Sequence, residues 1–306
     1  MTQFVDNLLS LLTDPTLRPV ALGTAALGAV SGSIGTFAVV RRQSLQGDAV
    51  SHAALPGVAL AYLCGGRSEV VLLLGAAVTG WLALTIVGGI VRRGQATFDA
   101  ALAGALATFF ALGLVLMTYL QHNVPGAASV RLQQYLFGQE AATMRLEDLG
   151  PLIGLGGPAV LVMVLFWKEF KLLSFDPDFA ASLGFPTRRL DWLLTSLVVL
   201  SVVIGLQTVG VVLMSALIVA PAAAARQWAD RLGLVVTLAA VFGASAGLVG
   251  TLLSHTLSQR GQAVPTGPTI VLVATGFALV SLLFAPRRGI LANLVSRSHT
   301  LAVTTR

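Results

Sequence analysis

Residues 70–91 read VVLLLGAAVTGWLALTIVGGIV, an apolar run without one charged side chain. The hydrocarbon core of a bilayer is about 30 Å thick, so a helix needs roughly 20 apolar residues to cross it. The run therefore predicts a transmembrane helix. Arg92 and Arg93 follow it directly, and such basic pairs are typical of the cytoplasmic side of a membrane.

The same apolar character extends over the whole chain of 306 residues, of which 56% are hydrophobic and only 10% charged. Soluble domains carry about 25% charged residues. At roughly 20 residues per crossing, the length allows about eight to ten crossings. We therefore expect an all-α, polytopic transmembrane helical bundle in which residues 1–306 form a single membrane domain.

The apolar runs predict about nine crossings. A single crossing by residues 190–225 would leave about 24 Å of excess helix at 1.5 Å per residue, so we divide that run near Gln207. The predicted crossings cover residues 20–40, 48–63, 70–91, 98–120, 152–167, 190–206, 209–225, 234–254 and 269–284.

The basic residues predict the orientation. With nine crossings and an outer N-terminus, most of the 19 Lys and Arg residues fall on the inner side, which favours an N-out, C-in topology. The outer side keeps only Arg18, Arg67, Arg131, Arg145 and Arg260. A net charge of +6 that is spread over loops in this way does not indicate a nucleic-acid partner. Cys64 is the only cysteine, which excludes an intrachain disulfide.

The segment GDAVSHAALPG, residues 47–57, contains the residues best suited to chemistry. Asp48 and His52 are four apart and lie on one helical face. A carboxylate and an imidazole form half of a site for a divalent metal such as zinc or manganese, and a second copy would complete it. The alternative is that Asp48 caps the helix and His52 donates to a nearby carbonyl. Pro56 and Gly57 predict a kink that exposes carbonyl groups.

The inner loop, residues 168–189, contains FDPDFAASLG at residues 175–184. Asp176 is a predicted cap, Pro177 suits the first helical position, and Gly184 ends the helix. A short helix of this kind is suited to insertion into a groove on a partner, although a surface helix without a partner fits the same pattern. Its remaining residues of interest are Phe175, Asp178, Phe179 and Leu183.

The other polar side chains are weaker candidates for functional residues. Asp99, His122 and His255 lie near predicted helix ends, where interfaces solvate them cheaply. The outer loop, residues 121–150, is compatible with a surface helix or a shallow re-entrant one. The chain has no phosphate-binding loop, so we expect any nucleotide hydrolysis to occur on a separate chain and do not expect this one to be an enzyme.

Four segments in order resemble the metal-type ABC transporter permeases, which serve zinc, manganese and iron(II) uptake in bacteria. They are GDAVSHAALPG at 47–57, FDPDFAASLG at 175–184, VGVVLMSALIVAPAAAAR at 209–226 and PTGPTIVL at 265–272. The resemblance covers nearly the whole chain. It departs from the family pattern around His255, to which we assign no role.

The resemblance implies a bacterial inner-membrane permease that works as a dimer, either with itself or with a similar subunit. It implies two ATPase subunits that bind ATP, an extracytoplasmic metal-binding protein, and no covalently bound cofactor. Asp48 and His52 would line the path of Zn²⁺, Mn²⁺ or Fe²⁺, and residues 175–184 would be the coupling helix. The residues are also compatible with a siderophore or corrinoid permease and with an ion-gradient-driven metal carrier. They fit zinc, manganese and iron(II) equally well.

Overall fold

The computed structural model describes residues 14, 17–123, 149–206, 210–259, 264–286 and 289. All regular structure within those residues is helical. The helices are α1 (Leu17–Val40), α2 (Gln46–Leu63), α3 (Glu69–Arg92), α4 (Phe98–Asn123), α5 (Leu149–Leu165), α6 (Trp167–Phe175), α7 (Pro177–Ser182), α8 (Thr187–Leu206), α9 (Val211–Trp228), α10 (Leu232–Gln259) and α11 (Thr266–Phe284).

Every predicted crossing coincides with one of these helices, which confirms the polytopic helical bundle. Six described helices, α1, α3, α4, α8, α10 and α11, are long and apolar enough to cross a membrane, or up to 7 if a bent pair counts as one span. The finer prediction of nine crossings rests in addition on α2 and α9. Those two helices carry many fully buried residues, so they belong to the interior of the bundle.

The bent pair is α5 and α6, whose axes differ by 71°. We predicted an uninterrupted crossing at residues 152–167, but α5 ends at Leu165 and the chain turns at Phe166. The α6 helix that follows contains Lys168, Glu169 and Lys171. Because charged side chains are costly inside hydrocarbon, this stretch is suited to the membrane surface rather than to a continued crossing.

Two predicted features fall on undescribed segments. The division near Gln207 lies between the end of α8 at Leu206 and the start of α9 at Val211, with Gly210 at φ 91°. Residues 124–148 of the predicted outer loop are likewise outside the described residues.

Glycines bring α1 into close contact with α10. A Cβ placed at Gly28 would lie less than 3.0 Å from the Gly243 carbonyl group, and the reverse also holds. A Cβ placed at Gly247 would likewise lie less than 3.0 Å from the backbone of Thr24. The sequences G28AVSG32 and G243ASAG247 are small-xxx-small motifs, which let transmembrane helices approach closely in the absence of a hydrophobic driving force.

Candidate metal site

Asp48 and His52 lie together on α2 as predicted. The His52 Nε2 atom is 3.5 Å from Asp48 Oδ1. The side chains are partly buried, with exposed fractions of 17% for His52 and 34% for Asp48. An oxygen donor and a nitrogen donor therefore lie side by side and partly exposed, and both donor types suit a borderline divalent cation.

Asp48 does not cap α2. The helix begins at Gln46, its N-cap residue is Leu45, and no side chain bonds to the cap position. The Asp48 carboxylate instead lies beside His52 of its own helix and near the Ser215 hydroxyl of α9.

His52 packs edge-on against Phe110 of α4, with ring centroids 4.8 Å apart and an interplanar angle of 78°. Its Nδ1 atom is buried and has no hydrogen-bond partner within the described part of the chain. The alternative in which this ring simply donates to a neighbouring carbonyl is therefore not the arrangement observed. The ring is held by packing, and its Nε2 atom is directed toward Asp48.

The pair lies among other helices, although it belongs to the first turns of α2. Phe110, which contacts His52, stands about 18 Å along α4 from Phe98 at 1.5 Å per residue and is therefore far from both ends of that helix. Ser215 stands about 6 Å from the start of α9 at Val211. Ionisable groups within a transmembrane bundle are costly and tend to mark transport pathways.

Pro56 leaves a backbone oxygen of the site without its helical partner. Proline has no N–H, so the His52 carbonyl, four residues earlier, cannot receive the usual helical hydrogen bond. The α2 helix continues through Pro56, and the predicted kink there stays a prediction. Gly57 has a packing role instead, because a Cβ on it would lie less than 3.0 Å from the backbone of Gly75 on α3.

The site of one chain offers few ligands. No group of three or more His, Cys, Asp or Glu side chains capable of holding a metal occurs among the described residues. Structural zinc sites use four protein ligands, and catalytic sites use three. Asp48 and His52 of one copy of the chain are thus two potential ligands, fewer than either kind of zinc site uses.

The predicted short helix forms α7. Asp176 is its N-cap, and the Asp176 Oδ1 atom accepts a hydrogen bond from the Phe179 amide at 2.9 Å. Pro177 occupies the first turn, as expected, and the chain leaves the helix through Gly184 at φ 84°. Large apolar side chains around α7 remain exposed, namely Phe175, Phe179, Leu183 and Phe185.

The remaining polar candidates lie elsewhere. Asp99 and His122 are exposed near opposite ends of α4. His255 lines a separate cavity with Ser254, Ser258 and Thr266, and its Nε2 atom is 2.8 Å from Gln259. None of these residues joins Asp48 and His52.

Sequence reasoning missed two site residues, Ser215 and Phe110. Neither has a local signal, because each comes from a helix distant in sequence from α2. Ser215 does lie within the segment 209–226, which carries part of the family resemblance. That resemblance was the only feature of the sequence that indicated a role for Ser215.

Comparisons with known proteins agree on one family. The family model described as the ABC 3 transport family matches residues 13–285. A zinc transport system membrane protein, TroC of Treponema pallidum, is 45% identical over 95% of this chain and 96% of its own length. A manganese transport system membrane protein, MntC of Listeria monocytogenes, is 34% identical over 90% of this chain and 92% of its own length.

The fold is also found in a solved structure. The structure of PsaBC from Streptococcus pneumoniae in complex with Fab matches with a TM-score of 0.79 and 30% identity. The match covers 93% of this chain and 97% of that chain. Because both lengths are covered almost fully, the similarity concerns the whole bundle and not a shared fragment.

Proposed function

Because the chain belongs to the ABC 3 transport family, we propose that it is the membrane-spanning permease subunit of an ATP-driven importer for a divalent transition metal. The observation that carries this proposal is the Asp48 and His52 pair, partly buried among the helices of the bundle. Relatives named for zinc and for manganese transport support the substrate class. Oxygen and nitrogen ligands suit Zn²⁺, Mn²⁺ and Fe²⁺ alike.

A second permease subunit completes the metal site. Two copies related by a two-fold axis would supply two carboxylates and two imidazoles, a four-ligand set on the axis. The partial exposure of Asp48 and His52 in the single chain supports a pathway at the seam between protomers. The partner is a second copy or a similar permease subunit.

Import would proceed by alternating access. An extracytoplasmic metal-binding protein delivers the ion, and two ATPase subunits bind and hydrolyse ATP on the opposite side. The α7 helix is the coupling helix, and its motion opens the protomer seam alternately to each side. Transport in proteoliposomes should require both ATP and the ATPase subunits, whereas uptake by this chain alone would identify an ion-gradient-driven carrier.

A first prediction concerns the membrane topology. We propose that the chain crosses the bacterial cytoplasmic membrane about nine times with an outer N-terminus, which puts the α2–α3 connection outside. Cys64 lies in that connection and is exposed. A membrane-impermeant thiol reagent should therefore label Cys64 in intact cells.

The control for this topology is a chain with Cys64→Ser and Arg93→Cys, which should be labelled only after the cells are permeabilised. The opposite result, with the Arg93→Cys chain labelled in intact cells and Cys64 protected, would reverse the proposed orientation.

A second prediction concerns the coupling helix. Phe179 projects from α7 with 51% of its surface exposed. Aromatic residues that fill a partner's groove typically cost about 2 kcal/mol or more on truncation, which is roughly thirtyfold in affinity. The Phe179→Ala variant should therefore copurify poorly with the ATPase subunit and lose metal-stimulated ATP hydrolysis.

Leu272→Ala is the matched control, because Leu272 is also exposed but lies on the transmembrane helix α11. That variant should retain the ATPase subunit. If Phe179→Ala copurified as well as Leu272→Ala, α7 would be a surface helix without the proposed partner.

A further inference from the structure

A basic cavity lies at the end of the bundle that carries α6 and α7. Its volume is about 300 Å³, and it opens between the end of α3, the start of α8 and the start of α7. Arg41, Arg92 and Arg188 line it, together with Thr187 and Asp191. We call this cavity the arginine pocket.

The arginine pocket carries excess positive charge. Arg41 forms an ion pair with Asp191, which joins the end of α1 to the first turns of α8. For Arg92 and Arg188, no carboxylate lies within ion-pair distance in the described part of the chain. Three guanidinium groups and one carboxylate, that of Asp191, therefore line the cavity, which leaves an excess of two positive charges.

Both of these arginines are solvent-exposed and line the cavity. The Arg188 guanidinium stacks on the Trp192 ring at 5.4 Å from its centroid, an arrangement that leaves the N–H edge of the cation free to donate. Arg92 folds back along α3, so that its Nη2 atom would lie 3.6 Å from a Cβ placed at Gly88. Planar guanidinium groups bind phosphate oxygens in a forked geometry.

The helices beside the pocket are suited to a lipid environment. Both α3 and α8 are long and apolar enough to cross a membrane, and Trp192 of α8 packs edge-on against Trp81 of α3, with ring centroids 5.5 Å apart. On another face of α3, Val78, Leu82 and Ile86 are exposed by 64%, 45% and 42%. A basic cavity at one end of two apolar helices therefore suits a molecule with acyl chains and an anionic phosphate.

We propose that the arginine pocket binds a phosphate anion, specifically the phosphodiester headgroup of an anionic phospholipid such as phosphatidylglycerol. Basic pockets between transmembrane helices on the cytoplasmic side are suited to such headgroups. Pro177 of α7 also lines the cavity. A bound headgroup therefore bridges α3 and α8 beside the start of α7 and restrains the position of that helix.

The test is lipid retention by the full-length chain, purified in mild detergent with the subunits that accompany it and measured by native mass spectrometry. Phosphatidylglycerol should be retained in preference to phosphatidylcholine. The double variant Arg92→Gln with Arg188→Gln should retain phosphatidylglycerol at least about tenfold less, since each basic group near an anionic surface contributes a several-fold factor. The control Arg93→Gln with Arg189→Gln should behave like the unmodified protein, because these exposed neighbours do not line the cavity.

Equal retention of the two lipids would overturn the proposal, and so would equal loss in both double variants. A further arm adds inorganic phosphate at millimolar concentration. Displacement of the lipid by it would assign the pocket to a soluble phosphate compound and overturn the lipid assignment. If the glutamine variant does not purify as a single species, Arg92→Lys with Arg188→Lys keeps both charges without the forked geometry and should still lose retention severalfold. None of these measurements depends on metal transport, so the proposed function can fail or hold separately.

Discussion

Metal uptake is expected to fall at least about tenfold when Asp48 or His52 is replaced by alanine, since loss even of residues that support metal ligands costs 10- to 100-fold. Each replacement removes one ligand type from every copy of the chain in the transporter. The residual site would keep only carboxylates or only imidazoles. The measurement is ATP-dependent uptake of radioactive zinc or manganese into proteoliposomes.

Asp99→Ala and His122→Ala are the matched controls, because these residues are of the same types but exposed on α4. Their uptake should equal that of the unmodified protein at equal abundance in the membrane. Undiminished transport by both Asp48→Ala and His52→Ala would reject a role for the pair in the pathway, even if the chain still proved to be a permease.

The largest effect on folding is expected at the contact between α1 and α10. A methyl group at Gly243 would overlap the Gly28 carbonyl group, because the added Cβ would lie less than 3.0 Å from it. The obstacle is backbone, so the helices themselves must separate, and overpacking typically costs about 1 to 3 kcal/mol. Gly243→Ala should therefore lower the melting temperature and the yield of monodisperse protein, measured by fluorescence-detected size-exclusion chromatography.

Gly104→Ala is the control substitution, since a Cβ at Gly104 has no heavy atom within 4 Å. Alanine is about 1 kcal/mol more favourable than glycine within a helix, so this variant should be at least as stable as the original. If Gly243→Ala were equally stable, the tight approach of α1 to α10 would not be needed for the fold.

Much of the secondary structure could be predicted from local pattern. The apolar run at residues 70–91 forms α3. Asp176 caps α7, Pro177 occupies its first turn, and Gly184 follows its end with a positive φ. These features depend on neighbours in the chain. The bend at Phe166 was missed because residues 152–167 are apolar enough for one crossing, and hydropathy alone does not indicate where an axis turns.

The surroundings of the pair could not be predicted. Asp48 stands in the first turn of α2, and local sequence does not show which other helices lie beside that turn. In the structure α2 begins inside the bundle, where Gln46 is buried and Phe110 of α4 packs against His52. These neighbours are set by the packing of helices that are far apart in the sequence.

The sequence by itself determined that this chain is an apolar helical bundle, that Asp48 and His52 share a helical face, and that α7 is a short capped helix. Those properties follow from spacing and side-chain chemistry over a few residues. Only the tertiary structure decided that Ser215 and Phe110 lie beside Asp48 and His52, that glycines bring α1 against α10, and that arginines from three segments line one pocket. These depend on contacts between residues far apart in the chain, which packing creates and local pattern does not contain.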